Sequence, residues 1–294
     1  MYTSIYRAWA IAIVLFAGIF GGSAWAQDDA HWPQFRGADA RGISTNTNLP
    51  AQWSATKNVE WKLDIPGRGW SSPIVWGNRV FVTTVVNSGV TEEAKKGLYF
   101  GGERPDIADS LHQWIVYCLD LETGKILWER QVHEGTPTSS SHIKNSLASE
   151  TPVVDAERVY FFFGNLGVFC FDHEGNPQWD TAVAAHKTRY GWGSAASLTL
   201  HKNRLYLVND NDEDSYLQAL DTKTGAEVWR VPRDEKSNWS TPYIWESGAR
   251  TEIVTLGSGT GSLHTGTGPL TYEMWIKTTD SSGDLLNIGA TTGT

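Results

Sequence analysis

One short pattern recurs through the sequence, and it limits the possible folds more than any other feature. It consists of an apolar residue, Asp, two or three residues, Gly, three residues and Trp. Three copies occupy residues 119–128, 171–179 and 220–229, and Trp61 precedes them as a fourth anchor. The tryptophans are 67, 51 and 50 residues apart. Such a period indicates a repeat architecture, and the longer first interval suggests an insertion within residues 87–109.

A second motif opens each unit, at residues 71–73, 150–152, 194–195 and 240–242, and three of these copies contain Pro. After each opening, two β-rich stretches flank a polar turn, which indicates a hairpin. A third stretch leads into the Asp turn, and a fourth ends on the Trp. Four short strands in each period are typical of one blade of a β-propeller. The sequence therefore predicts an all-β fold, a β-propeller of four-stranded antiparallel blades with about four blades present. A β-sandwich, the alternative, does not predict this fixed period.

We expect structural roles for the residues of the recurring pattern. The Asp can accept hydrogen bonds from the turn backbone, and the Gly permits a positive φ. The Trp can bury its ring between neighbouring blades and donate its indole N–H once. These residues are Asp120, Gly124, Trp128, Asp172, Gly175, Trp179, Asp221, Gly225 and Trp229.

The copy Asp-x-x-Thr-Gly-x-x-x-Trp at residues 120–128 resembles the tryptophan-docking repeat of PQQ-like (quinoprotein-type) β-propellers. The opening His-Trp-Pro-Gln-Phe-Arg-Gly at residues 31–37 and Trp-Ser-Thr-Pro at residues 239–242 resemble exported members similar to the outer-membrane assembly factor BamB. The resemblance extends from residue 31 to about residue 260. It implies seven or eight blades in a complete propeller, so the chain resembles a truncated or fused gene product. An open propeller would expose a strand edge through which copies could self-associate.

The N-terminus predicts a secretory signal peptide over residues 1–26, with Arg7, an apolar run at residues 8–20 and cleavage after Ala26. The alternative is an uncleaved anchor, but the run is shorter than the roughly 20 residues that a spanning helix needs. We expect a periplasmic or secreted protein without a stable membrane span after cleavage.

Three further segments follow the signal peptide in the predicted domain organisation. Residues 27–256 form the partial PQQ-like propeller, and residues 257–270 form a linker rich in Gly, Ser and Thr. Residues 271–294 resemble the start of a laminin-G/concanavalin-like domain.

Charge and motif content exclude several classes of function. The net charge of −9 argues against a nucleic-acid partner, because phosphates require a basic surface. The sequence contains no hydrolase, phosphate-loop or zinc motif, so we predict neither catalytic residues nor a metal site. Residues 209–214 are interpreted as a solvated hairpin turn rather than a calcium loop, because Ser215 replaces the required Gly.

The positions of the two cysteines indicate whether the chain could bind a cofactor. Cys118 and Cys170 stand at equivalent repeat positions, where we expect two core thiols rather than a disulfide. The resemblance implies that quinoprotein dehydrogenases place two neighbouring cysteines against PQQ and bring carboxylates to Ca²⁺. A vicinal cysteine pair is absent here, which disfavours PQQ with Ca²⁺, and we expect no cofactor.

The blade openings supply the candidate binding residues. Trp70, Ser149, Trp192 and Trp239 each stand three residues before the Pro position of an opening, and Glu150 follows Ser149. First strands of blades line a propeller's channel, so these residues could form a ring that stacks on a sugar, a peptide or a quinone. Alternatively, they seal the channel or pack between blades. The polar residues near them in sequence are Arg68, His142, Lys144, Asn145 and Arg233.

These observations favour an exported, non-catalytic propeller that binds a protein partner in the cell envelope. One alternative is a PQQ- and Ca²⁺-dependent quinoprotein dehydrogenase. The other is a carbohydrate-binding envelope protein, as the C-terminal resemblance and the 15 tryptophans suggest.

Overall fold

The computed structural model describes residues 31–44, 46, 49–94, 96–97, 99–104, 106–246, 250–257, 273–278 and 285–289. The predicted signal peptide and nearly all of the predicted linker lie outside these residues. In the described part of the chain, the regular structure consists of β-strands and two short 3-10 turns, at Ala38–Ala40 and Arg189–Gly191. No helix among these residues has the length and apolar character needed to cross a membrane.

The strands form four antiparallel sheets in which neighbours follow chain order. The first sheet contains β1 (His31–Trp32), β2 (Ile74–Trp76), β3 (Arg79–Asn87), β4 (His112–Asp120) and β5 (Ile126–Gly135). The second contains β6 (Val153–Val154), β7 (Arg158–Phe163), β8 (Gly167–Asp172) and β9 (Pro177–Ala182). The third contains β10 (Thr199–His201), β11 (Arg204–Asn209), β12 (Tyr216–Asp221) and β13 (Glu227–Pro232). The fourth contains β14 (Tyr243–Glu246), β15 (Thr251–Leu256), β16 (Glu273–Thr278) and β17 (Leu285–Gly289). The all-β fold and the four blades are therefore as predicted.

The apolar sequence of the middle strands follows from their position between blades. β7 is Arg-Val-Tyr-Phe-Phe-Phe, and all of its residues after Arg158 are buried, because both faces of the sheet are covered. The outer strands β9 and β13 alternate exposed and half-buried residues, as strands with one solvated face do.

Three of the four core clusters among the described residues lie between sheets, and the fourth lies on the first sheet alone. Phe81 and Trp114 of the first blade join Phe161 and Phe171 of the second in one cluster. A second cluster joins the second and third blades, and a third joins the third and fourth. The first strands β2, β6, β10 and β14 contact one another in that order, so they surround a common axis.

Two features of the sheets differ from the sequence prediction. The first sheet has a fifth strand, because β1 pairs with β2 through His31 opposite Trp76. The fourth sheet continues beyond residue 256, because β16 pairs with β15 and β17 pairs with β16. Both outer strands lie within residues 271–294, the segment predicted as the start of a further domain.

Candidate functional site

Tryptophan side chains connect successive blades by one repeated contact. The indole N–H of Trp61 donates to the carbonyl of Leu121 at 2.8 Å. Trp128 donates in the same way to His173 at 2.8 Å, and Trp179 donates to Thr222 at 3.0 Å. Each acceptor directly follows the Asp of the next repeat, so every docked indole secures the turn of the following blade.

The turn glycine makes room for the docked ring. A Cβ atom on Gly124 would lie 2.4 Å from Trp61, and one on Gly175 would lie 2.7 Å from Trp128. On Gly225 it would lie 2.4 Å from Trp179. All three glycines have φ between +68° and +79°, a region that other residues rarely adopt. Glycine is therefore required for two reasons: the positive φ of the backbone and the close approach of the indole ring.

The repeat Asp organises the same turn. Asp120 Oδ1 accepts the backbone N–H and the hydroxyl of Thr123 at 2.8 and 2.6 Å. These hydrogen bonds hold the pKa of Asp120 below its usual value. Burial acts to raise the pKa of Asp172 and Asp221, but the turn hydrogen bonds outweigh it and lower both.

Trp229 belongs to the last copy of the pattern. It packs against the core between the third and fourth blades, with its ring centroid 6.0 Å from that of Tyr206. The turn between β16 and β17, where its docking partner would be expected, lies outside the described residues.

Both cysteines lie inside blades. Cys118 is opposite Phe81 and Trp128, and Cys170 is opposite Tyr160 and Trp179. Both thiols are free and buried, and burial raises the pKa of Cys118 to about 12. They are thus shielded core groups at equivalent repeat positions.

The openings of the blades are joined by a chain of hydroxyl hydrogen bonds. The backbone N–H of Ser72 donates to Thr151 Oγ1 at 3.0 Å, and that of Thr151 donates to Ser197 Oγ at 2.8 Å. The N–H of Ser197 donates to Thr241 Oγ1 at 3.0 Å. Sequence reasoning missed this role, although the recurring Ser or Thr before Pro at three openings was the signal.

This series of hydrogen bonds shows that the predicted alignment of the third repeat must be shifted. Its opening is Ser197, which precedes Leu198 instead of a Pro, and not Ser194 as predicted. The residue equivalent to Trp70, Ser149 and Trp239 is consequently Ala195 and not Trp192.

A cleft of about 320 Å³ lies at the axis, where the four openings meet; we call it the axial cleft. Trp70, Ser149, Ala195 and Trp239 all line it, as the corrected alignment requires. Trp70 is 57% exposed at this site. The N-terminal segment, including Phe35, contributes a further part of the wall. Three of the four residues predicted to form a ring are thus brought together.

Trp192 occupies a different environment from the predicted one. Its indole donates to the carbonyl of Gly102 at 3.0 Å, and its ring lies 5.1 Å from Phe100 and 5.2 Å from Tyr190. It is 6.0 Å from Trp239 but packs beneath the loop that connects β3 to β4. The prediction that Trp192 lines the mouth is therefore corrected.

Glu150 is also not at the mouth. The residue is 1% exposed, and its Oε1 accepts the hydroxyl of Ser194 at 2.5 Å and the N–H of Gly164 at 3.1 Å. Its Oε2 is buried without a hydrogen-bond partner. Burial raises the pKa of this carboxyl, so its position between blades favours the neutral form.

The polar neighbours predicted near the mouth secure loops. Asn145 donates to the carbonyls of Trp192 and Ser194 at 3.0 and 2.9 Å. A His142 ring nitrogen pairs with the carbonyl of Phe100 at 3.0 Å, and Lys144 donates to Gly97.

The acidic run at residues 209–214 connects β11 to β12, but it is not uniformly solvated as predicted. Asp210 is buried and forms a bidentate pair with Arg233 at 2.7 and 3.1 Å. The Asn211 side chain accepts the N–H groups of Glu213 and Asp214. No group of three or more His, Cys, Asp or Glu side chains suited to a metal ion occurs in the described ranges.

The successive antiparallel sheets around one axis and the docked indoles define a β-propeller with tryptophan-docked blades. The family model described as outer membrane protein assembly factor BamB matches residues 106–231. This match confirms the resemblance to PQQ-like propellers that the repeats predict.

A curated protein from Burkholderia pseudomallei (strain K96243), named outer membrane protein assembly factor BamB, is 24% identical over 226 residues. The alignment covers 69% of this chain and 54% of that relative, so the chain spans about half of its length.

Two solved structures are similar to this chain. The quinohemoprotein alcohol dehydrogenase from Comamonas testosteroni superposes with a TM-score of 0.52 at 13% identity, over 84% of this chain and 39% of that chain. BamB from Moraxella catarrhalis gives a TM-score of 0.37 at 14% identity, over 80% and 68% of the two chains.

Proposed function

We propose that this protein is an exported, non-catalytic scaffold that binds a protein partner in the cell envelope through the axial cleft. The observation that carries the proposal is Trp70, a large aromatic side chain more than half exposed in a concave site built by all four blades. Exposed aromatic anchors in such sites dominate the binding energy of many protein interfaces. The match to the BamB family model supports the same class of function.

The rigidity of the cleft supports a binding role. The hydroxyl chain through Thr151 and Ser197 fixes the four openings relative to one another. The Trp239 indole donates to the carbonyl of Gly193 at 2.7 Å, which holds that wall in place. A preformed surface loses little conformational entropy when a partner binds.

The donor set of the cleft does not fit PQQ with Ca²⁺. Calcium takes six to eight oxygen ligands that usually include carboxylates. No carboxylate stands among the described residues that line the axial cleft. The neighbouring Glu150 is buried and directs Oε1 toward Ser194 and Gly164. The two cysteines lie within the sheets. We therefore favour a site without this cofactor.

The carbohydrate alternative draws less support. A three-tryptophan platform would need Trp70, Trp192 and Trp239 on one surface, whereas Trp192 packs against Phe100 and Tyr190. The cleft retains two of these tryptophans.

Site-specific photocrosslinking tests the proposed function. A photoreactive phenylalanine analogue replaces Trp70 in the full-length gene, expressed in the native host and irradiated in intact cells. We expect a discrete adduct with one envelope protein. The matched control places the analogue at Trp53, which is 73% exposed and does not line the cleft. Absence of an adduct at residue 70, or the same adducts from both positions, contradicts the proposal.

A further inference from the structure

A second cavity of about 480 Å³ lies between the body of the propeller and the insertion loop, residues 88–111, which joins β3 to β4. We call it the loop cavity. Arg68 and Arg104 line it together with Glu92 and Glu93, and Ser140 and Asn145 lie in its wall. It is separate from the axial cleft, because the two sets of lining residues do not overlap.

Both arginines are held in place by the fold. Arg68 exchanges backbone hydrogen bonds with Val85 at 2.9 Å in each direction. The backbone N–H of Arg104 donates to the carbonyl of Tyr190 at 2.7 Å, and its Nε donates to Gly101 at 3.1 Å. Their side chains are only 26% and 27% exposed. The backbone of Arg68 is therefore fixed, and the Arg104 guanidinium is positioned through its Nε by a contact that does not involve the glutamates.

The two glutamates of the insertion loop occupy these arginines. Arg68 donates to the main-chain carbonyl of Glu92 at 3.0 Å and to the Glu93 carboxylate at 2.8 Å. Arg104 donates to the Glu92 carboxylate at 2.7 Å. The arginines thus bind a peptide carbonyl and two successive acidic side chains, which is the chemistry of an acidic peptide.

Glu92 and Glu93 are more exposed than the two arginines. Their side chains are 62% and 88% exposed, and such exposed ion pairs contribute little to stability. Asp106 is the other carboxylate among the described residues of the cavity wall. Displacing Glu92 and Glu93 leaves two arginines against one aspartate, so the cavity becomes net positive.

We propose that the loop cavity binds an acidic peptide segment of a partner protein, and that Glu92 and Glu93 occupy its arginines until that segment displaces them. The proposal rests on the proposed function only in that the partner is a protein. Its test uses a peptide and leaves the axial cleft unaltered, so the two proposals can fail separately.

The probe is a fluorescein-labelled hexaglutamate peptide, and its binding is followed by anisotropy at low salt. Glu92→Gln combined with Glu93→Gln should tighten binding about threefold to tenfold, because the internal competitor is removed. Arg68→Gln and Arg104→Gln should each weaken it about tenfold, because each removes charge-assisted hydrogen bonds. If Arg68→Gln does not fold, Arg68→Lys keeps the charge, loses the forked geometry and should still weaken binding.

A charge-matched control separates this effect from general electrostatics. Glu103→Gln combined with Glu122→Gln removes the same charge at two exposed positions outside the cavity wall. It should change affinity far less than the substitution of Glu92 and Glu93. An equal gain from both double variants, or no binding of the peptide, overturns the proposal. Competition by inorganic phosphate as strong as that of unlabelled hexaglutamate also overturns it and indicates a small-anion site.

Discussion

The contact between a turn glycine and a docked indole is open to a quantitative test at Gly175. Its φ of +79° and the ring of Trp128 both require glycine, because a Cβ would lie 2.7 Å from Cδ2 and 2.8 Å from Cγ. Gly175→Ala therefore imposes backbone strain and steric overlap together. The ring cannot move away freely, since its N–H is bound to the carbonyl of His173.

The expected magnitude follows from these two effects. A left-handed conformation costs an alanine about 1–2 kcal/mol. Forcing an extra carbon into a packed contact costs about 1–3 kcal/mol. Gly175→Ala should therefore lower the free energy of unfolding by about 2–5 kcal/mol.

Gly77→Ala is the matched control. Gly77 also has a positive φ, +55°, but a Cβ there would meet nothing within 4 Å. Only the strain of the left-handed backbone applies, so Gly77→Ala should lower the free energy of unfolding by about 1–2 kcal/mol. Urea unfolding followed by circular dichroism and tryptophan fluorescence measures both variants.

The comparison can refute the reasoning directly. Equal losses in the two variants would mean that the indole does not restrict the turn. A further check combines Gly175→Ala with Trp128→Leu, which removes the ring. In that background, Gly175→Ala should lower the free energy of unfolding by about as much as Gly77→Ala does. The steric part of its effect depends on the contact with the Trp128 ring, so the two substitutions are coupled.

Three other predictions concern buried groups. Trp128→Phe should lower the free energy of unfolding by about 1–3 kcal/mol, because the carbonyl of His173 loses its donor; urea unfolding measures this. Burial raises the pKa of Glu150, so its contribution to stability is present at low pH and is lost as the pH rises from the ordinary glutamate value through the raised one. Glu150→Gln should remove this loss of stability with rising pH. Urea unfolding midpoints of the unsubstituted protein and of Glu150→Gln, measured from acid to neutral pH, test this; the same pH dependence in both would contradict the raised pKa. Burial raises the pKa of the Cys118 thiol to about 12 and that of Cys170 as well, so neither should react with a thiol reagent near neutral pH until urea unfolds the chain.

The blades were predictable from sequence because their signal is local and repeated. Asp120, Gly124 and Lys125 form one turn within six residues, and the same arrangement recurs at Asp221. Short-range turn chemistry at a fixed period identifies the end of a blade without knowledge of the partner that docks on it. The outer strands of the fourth sheet were missed because β16 begins 17 residues after β15 ends, without the usual turn pattern between them.

The axial cleft was predictable only in part, because one opening lacks its Pro. Where Pro follows the hydroxyl residue, as after Thr151 and Thr241, the alignment is correct. Leu198 stands in the Pro position of the third blade, and without that marker the alignment slipped by three residues to Trp192. The prediction therefore placed Trp192 in the ring, at the position where the structure has Ala195.

The burial of charged groups could not be predicted from local sequence. Asp210 stands in a run of polar residues typical of exposed turns, yet its side chain is fully buried against Arg233, which is 23 residues away. Glu150 likewise meets Ser194, 44 residues further along the chain. Contacts over such separations depend on how blades pack rather than on any short motif.

The docking contact of Trp61, Trp128 and Trp179 joins two different groups, an indole of one repeat and a turn carbonyl of the next. Each repeat offers an indole on one side and a turn carbonyl on the other, so the same contact recurs at each junction. A contact of this head-to-tail kind sets no copy number by itself; the rotation from one repeat to the next determines whether a ring closes. Duplication or deletion of one whole repeat would leave complementary ends at the junction. The segment from one docked tryptophan to the next is therefore the length of chain whose duplication or deletion keeps every docking contact paired.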